Sequence, residues 1–146
     1  MRNLLLTLRY NGTDFHGWQI QPNGNTIQQE LCNAFKKLSG NDENIIGCSR
    51  TDAGVHANMF CCNVRTECNV PADKIPDALN FYLPPEISVY GCQDVDYDFH
   101  ARYDCKGKEY IYLIYNGKHR NPFYENKAMF YPFKIDAEML NDEAKD

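Results

Sequence analysis

Apolar and polar side chains alternate from Asn3 to Tyr10, with Leu4, Leu6 and Leu8 on one face and Leu5, Thr7 and Arg9 on the other. That period of two predicts a half-buried β-strand. The pattern stops at Asn11-Gly12-Thr13, and a second turn cluster stands at Pro22-Asn23-Gly24-Asn25. Between them the segment holding Trp18 follows no helical period, which predicts a long ordered loop. From Thr26 the spacing becomes helical, and Ile27, Leu31, Ala34, Phe35 and Leu38 form one apolar stripe. Thr26 followed by Gln29 is a capping box, worth about 1 kcal/mol, while Lys36, Lys37 and Gly40 suit the helix's C-terminal end.

Alternation returns in Asn44 to Cys48 and, through Phe60, Cys62 and Val64, in a strand expected to start near His56 or Ala57. The polar turn Ser49-Arg50-Thr51-Asp52-Ala53-Gly54 separates the two. Residues 72–81 predict a short helix stopped by Pro84-Pro85, with Pro76 counting against it. Ile87 to Val95, Lys108 to Tyr115 and Ala128 to Tyr131 read as further strands, with a turn at Asn116-Gly117. The order β-α-β-β-α-β-β predicts an α+β fold: a mainly antiparallel sheet with helices packed on one face. Asp136 suits an N-cap for Ala137 to Leu140, and no C-cap, glycine or proline follows before Asp146. The expectation is a chain cut within a helix that starts near 136.

Composition narrows the class. The 146 residues are 43% hydrophobic and 24% charged, the proportions of an ordinary globular domain able to bury about two-thirds of its unfolded surface. Apolar runs such as Leu4 to Leu6 fall far short of the roughly 20 residues of a membrane helix, and the first residues carry no secretory signal. A cytoplasmic protein with no membrane partner is expected. The seven cysteines include no pair at metal-ligand spacing, so free thiols and no metal site are expected. The net charge of -5 argues against whole-surface binding to nucleic acid. The average hides an asymmetry: from Phe99 to Tyr124, Arg102, Lys106, Lys108, Lys118 and Arg120 face two acids, a local +3 that leaves -8 for the remainder. A solvated strand edge and an RNA-facing stretch fit this equally well.

Asp52 is the leading candidate for chemistry. It lies in the turn between two predicted strands with Arg50 two positions earlier, and in extended backbone such residues project to the same side. A guanidinium nearby lowers a carboxyl pKa by about one to three units, and an ionised carboxylate is what covalent catalysis or base abstraction requires. By spacing alone, an aspartate before Ala-Gly is more commonly a turn residue bonding its own backbone. His56, four residues on, fits a hydrogen-bonded structural histidine better than a metal ligand. Tyr110, Tyr112 and Ile114 share one face of a predicted strand, where a tyrosine packs in a core or, less commonly, stacks on a base. Trp18 fits a loop anchor held by burial.

Taken together, the blocks Tyr10 to Asn23 (YNGTDFHGWQIQPN), Thr26-Ile27-Gln28 and Ser49 to Ala57 (SRTDAGVHA) closely resemble the tRNA pseudouridine synthases of the TruA family. The resemblance continues through Ala78-Leu79-Asn80, Leu83-Pro84, Phe99-His100-Ala101-Arg102 and Lys108 to Tyr112, and spans residues 4 to about 131. It implies the RRM-like half of a pseudouridine synthase fold, with residues 1–146 as the N-terminal half that bears the catalytic aspartate and with the C-terminal half absent. It also implies isomerisation of uridine to pseudouridine in the anticodon stem-loop of tRNA, without cofactor or metal, by a chain that forms a homodimer when complete. Residue by residue, Asp52 matches the catalytic aspartate, Arg50 the arginine lining the site and Tyr110 the tyrosine that stacks on the target uracil. Arg102, Lys106, Lys108, Lys118 and Arg120 then read as a phosphate track. The chain departs from the family's usual pattern at Asn11, at Ser49 and in Asn58-Met59-Phe60-Cys61, just behind the turn of Asp52. The isolated chain is expected to show little or no activity. The alternative is a non-catalytic RNA-binding or assembly module with the same sheet; loss of Asp52, Arg50 or Tyr110 would mark it, and all three are present.

Overall fold

Leu4, Leu6 and Leu8 have no solvent exposure in the computed structural model, which describes residues 1–145. They lie on β1 (Arg2–Tyr10), and the burial of alternate residues turns the sequence pattern into a sheet with one apolar face. The other strands of that sheet are β2 (Ile45–Gly47), β3 (Ala57–Thr66) and β4 (Ile87–Val95), in the spatial order β2-β3-β1-β4 with every pair antiparallel. Phe60, Cys62, Val64, Ile45, Ile87 and Val89 join the leucines on the buried face, and Ile27, Leu31, Ala34 and Phe35 of α1 (Ile27–Ser39) close over it. A second helix, α2 (Ile75–Asn80), adds Ile75 and Leu79 to the same core. Helices on one face of an antiparallel sheet are the predicted α+β arrangement.

Local details differ from the expectation in two places. Thr26 accepts a hydrogen bond from the Gln29 amide at 3.3 Å, but the Gln29 side chain donates to Asn33 at 3.0 Å, so only half of the capping box forms. Pro76 falls in the first turn of α2, where its missing N–H has no intrahelical partner to lose. It therefore starts the helix that it was expected to weaken.

The other sheet face is organised by two buried asparagines. Asn3 and Asn63 are 2% and 0% exposed, and the Asn63 amide donates to Asn3 at 2.9 Å. Asn3 also donates to the carbonyls of Asp96, Tyr97 and Phe99, while Asn63 accepts from the Ala101 amide at 2.8 Å. These bonds pin the segment after β4 across the sheet, because an unpaired buried amide costs about 1–3 kcal/mol.

The described residues form two compact units, Met1–Gly107 and a second beginning at Lys108. In the second, β5 (Ile114–Asn116) pairs in parallel with β6 (Met129–Tyr131), and α3 (Ala137–Glu143) follows, capped by Asp136. The predicted strand from Lys108 to Tyr115 is realised only at its end, since residues 108–113 have no regular structure. The Leu113 carbonyl accepts from the Met129 amide of β6 at 2.8 Å, but among the described residues no strand pairs with residues 108–112, and alternation without a ladder partner does not make a strand. Asn116-Gly117 does not close a hairpin either: the parallel pairing requires a crossover, here a 3-10 turn at Pro122–Tyr124.

Candidate active site

Two loops that are far apart in sequence interlock at one end of the sheet. The loop from Asn11 to Asn25 follows β1, and the loop from Cys48 to His56 joins β2 to β3. Their backbones are tied directly: the Trp18 amide donates to the Thr51 carbonyl at 3.1 Å and the Gly54 amide to the Phe15 carbonyl at 3.1 Å. His56 accepts at Nδ1 from the Gly12 amide at 3.0 Å, and the hydroxyls of Tyr10 and Thr51 share a 3.0 Å bond. Close approach makes two glycines necessary. A Cβ on Gly12 would lie 2.0 Å from the Val55 carbonyl oxygen, and one on Gly17, whose φ is +82°, would lie 2.3 Å from that of Thr51.

Burial supplies the anchor beneath this contact. Trp18 is 3% exposed and stacks on Phe60 of β3 with ring centroids 4.3 Å apart, and Tyr10 packs against the same ring at 5.7 Å. Gly47 faces the indole so closely that a Cβ there would lie 2.6 Å from it. Desolvation pushes the Tyr10 phenol up to about 12 despite its bond to Thr51, so the hydroxyl stays protonated and neutral at physiological pH. The register slip between β1 and β3 falls between Leu8↔Phe60 and Tyr10↔Ala57, so Asn58 and Met59 form a bulge directly after the loop. These are residues at which the sequence departs from the usual family pattern.

Asp52 is exposed at the crown of this rigid turn, and Arg50 is exposed beside it in sequence. No ion pair joins the two among the described residues, so the expected clamp of the carboxylate by Arg50 does not form. The same-side rule for i and i+2 holds for a regular strand, and residues 50–52 belong to none: they lie between a bend at 48–49 and a turn at 53–54. Arg50 instead lines a cleft of about 210 Å³ together with Arg102, His100 and Tyr103. His56 is engaged in the loop contact as the sequence reading favoured, and Trp18 is the buried anchor.

Tyr110 belongs to the second unit and is 72% exposed on the irregular segment 108–113. The basic stretch divides in the same way: Arg102 and Lys106 lie in the first unit, and Lys108, Lys118 and Arg120 in the second, all exposed. His100 and Tyr103 were not singled out from the sequence as site residues. They stand three apart in a turn and stack at 4.2 Å, and the signals for them in the sequence are their place beside Arg102 in the basic stretch and, for His100, the block Phe99-His100-Ala101-Arg102. All seven cysteines are free thiols; Cys62 is fully buried, and desolvation holds its thiol well above the usual range.

The sequence pattern of the tRNA pseudouridine synthase family matches residues 7–104, which contain both interlocked loops and the cleft. The chain belongs to that family. It is 46% identical over 140 residues to tRNA pseudouridine synthase A of Caldicellulosiruptor bescii, covering 96% of this chain and 57% of the relative. It is 42% identical over 144 residues to the enzyme of that name from Thermoanaerobacter sp., covering 99% and 59%. For the one from Aquifex aeolicus the identity is 41% over 151 residues, covering 99% and 60%. The chain thus spans a little over half the length of these curated relatives. Among the described residues no helix is long and apolar enough to cross a membrane.

Proposed function

We propose that this chain is the Asp52-bearing half of an enzyme that isomerises uridine to pseudouridine in the anticodon stem-loop of tRNA. The observation that carries the reading is the interlocked loop pair, which holds an exposed carboxylate on a backbone fixed at several points. Preorganisation of this kind matters because a displacement of about 1 Å at a catalytic group costs about a hundredfold in rate. Membership of the family supports the substrate class.

The reaction breaks the bond between uracil N1 and ribose C1′, forms one between C5 and C1′, releases the hydrogen from C5 as a proton and places a proton on the freed N1. The enzyme must reach both sugar and base, so the target nucleotide leaves its stack before chemistry begins. Asp52 acts on the sugar or base as nucleophile or proton acceptor, Arg50 holds a phosphate or fills the vacated space, and Tyr110 stacks on the released uracil to retain it. Arg102, Lys106, Lys108, Lys118 and Arg120 contact the RNA backbone. A further segment, present in the longer relatives, supplies the opposite wall, and the complete protein works as a cytoplasmic homodimer without cofactor or metal.

The test is tritium release from an anticodon stem-loop labelled at uridine C5, run with the complete protein and its Asp52→Asn variant. Release by the wild type and loss of at least about a thousandfold in the variant is the expected result, given what a reacting carboxylate contributes. RNA binding should survive the substitution. Release that does not depend on Asp52, or none from the complete protein, overturns the proposal; the second outcome with RNA binding intact favours the non-catalytic module.

A further inference from the structure

We infer that the cleft beside Arg50 is a subsite for one unpaired nucleotide of the RNA strand, adjacent to the target uridine. Arg50 and Arg102 take its phosphate and the Tyr103 ring takes its base. This inference rests on the proposed function and adds to it a second point of contact, built where Arg50 of the Asp52 turn meets the separate turn of His100 to Tyr103.

Charge is the first argument. In a chain of net charge -5, the cleft is lined by two arginines and one histidine and by no Asp or Glu. Neither guanidinium has an ion pair or side-chain hydrogen bond among the described residues, although the Asp104 carboxylate lies near in sequence. That carboxylate is occupied by the His100 amide at 2.7 Å. A larger hollow of about 380 Å³ at Met1, Arg2 and Glu67 makes an instructive contrast. Its arginine is neutralised by Asp94 at 2.6 Å, and it holds a glutamate as well. Of these two hollows, the cleft at Arg50 is the one that presents uncompensated positive charge, which is what a phosphate requires.

The second argument is the aromatic platform. Tyr103 is 80% exposed, yet its ring is fixed by stacking on His100 at 4.2 Å and 27°. The turn that carries both is closed by the Tyr103 and Asp104 amides donating to the His100 carbonyl. That turn is itself tied to the sheet, because the neighbouring Phe99 carbonyl and Ala101 amide bond to the buried Asn3 and Asn63. A free ring on a rigid base is the arrangement on which unpaired bases stack. Gln19 and Asn44 also line the cleft, and their side-chain amides carry the donors and acceptors that a base edge requires. The volume is below the roughly 300 Å³ at which small-molecule pockets begin, and it suits one nucleotide of a longer strand. Paired RNA, with its bases in the stack, presents no free ring face to such a platform.

The experiment places 2-aminopurine in the anticodon stem-loop on either side of the target uridine and follows fluorescence as the complete protein is added. Quenching at one of the two positions is expected. Tyr103→Leu should abolish the quenching and weaken binding about ten-fold, whereas Tyr103→Phe keeps both, as stacking predicts. Arg102→Gln should weaken binding and lower the slope of log affinity against log salt by about one. Because Tyr103 is so exposed, Tyr103→Leu should fold, and far-ultraviolet circular dichroism verifies that. Unchanged quenching and affinity in Tyr103→Leu overturn the subsite. Tritium release separates the two claims: Asp52-dependent release with quenching indifferent to Tyr103 overturns the subsite alone, while Tyr103-dependent quenching without any release overturns the enzyme reading alone.

Discussion

In β1 the residues Leu4, Leu6 and Leu8 are completely buried, whereas Tyr110, Tyr112 and Ile114, spaced in the same way, are 46–87% exposed. Both stretches alternate, and both were read as strands. β1 has a partner on each side, β3 and β4, and the apolar stripe of α1 above it. Residues 108–112 have no partner strand among the described residues, and the short β5 that follows is paired on one side alone, with β6. Strand propensity is a statement about fitting a pleated, half-buried surface, and it takes effect only where such a surface exists. The two units of the chain therefore differ less in composition than in what their apolar faces meet.

The largest expected effect lies in the first unit. Phe35→Ala removes a ring with no exposure from the junction of α1 and the sheet and should cost about 3–5 kcal/mol in urea unfolding. A cost below about 1 kcal/mol would show that the core is looser than its burial indicates. Gly12→Ala comes next. Its methyl overlaps the Val55 carbonyl, and the interlocked loops must part, at about 1–3 kcal/mol. Faster proteolytic cleavage within residues 49–56 is the accompanying signature, and unchanged cleavage would mean that the loops are not clamped.

Tyr10→Phe should cost less, about 0.5–1.5 kcal/mol, by removing the bond to Thr51. The same residue gives a pH dependence. Its folded value of about 12 lies above the unfolded value of 10, so the folded state keeps a proton that the unfolded chain loses. The contribution is fully present below pH 10 and is lost as pH rises towards about 12. The unfolding midpoint should fall across that window in the wild type and fall less in Tyr10→Phe; parallel curves would refute the burial argument. The smallest effect is expected in the second unit, where Tyr112→Ala, at 87% exposure, should change stability by no more than about 0.5 kcal/mol. A loss above about 1 kcal/mol would remove the contrast between the two stretches.

Much of the first unit was readable in advance. The strand from Ile87 to Val95 lies where its pattern placed it, and α1 follows its stripe and its Thr26 cap closely. The start of β3 at Ala57 also agrees. These elements have strong local periods and meet a core that rewards them. Arg50 and Asp52 do not pair because the i, i+2 rule belongs to regular strands and residues 50–52 form part of a loop. His100 and Tyr103 were passed over because their stack is made by a turn that buried asparagines hold from the other side of the sheet. Nothing local in the sequence announces those asparagines, since Asn3 and Asn63 sit at positions that the alternation assigns to the polar face.

By itself, the sequence determined the α+β class, the order of elements up to β4, the family and the turn that carries Asp52. Each of these depends on side-chain period, capping chemistry or a contiguous motif, and such signals act within about one element length. The tertiary structure alone decided that the Gly12–Trp18 loop clamps the Asp52 turn and that Arg50 lines a cleft with Arg102 instead of pairing with Asp52. It also decided that residues 108–113 stay irregular. Those outcomes depend on contacts between residues far apart in the chain, such as Tyr10 with Thr51 and Gly12 with His56, and on whether a partner strand is present, and neither leaves a mark in local spacing.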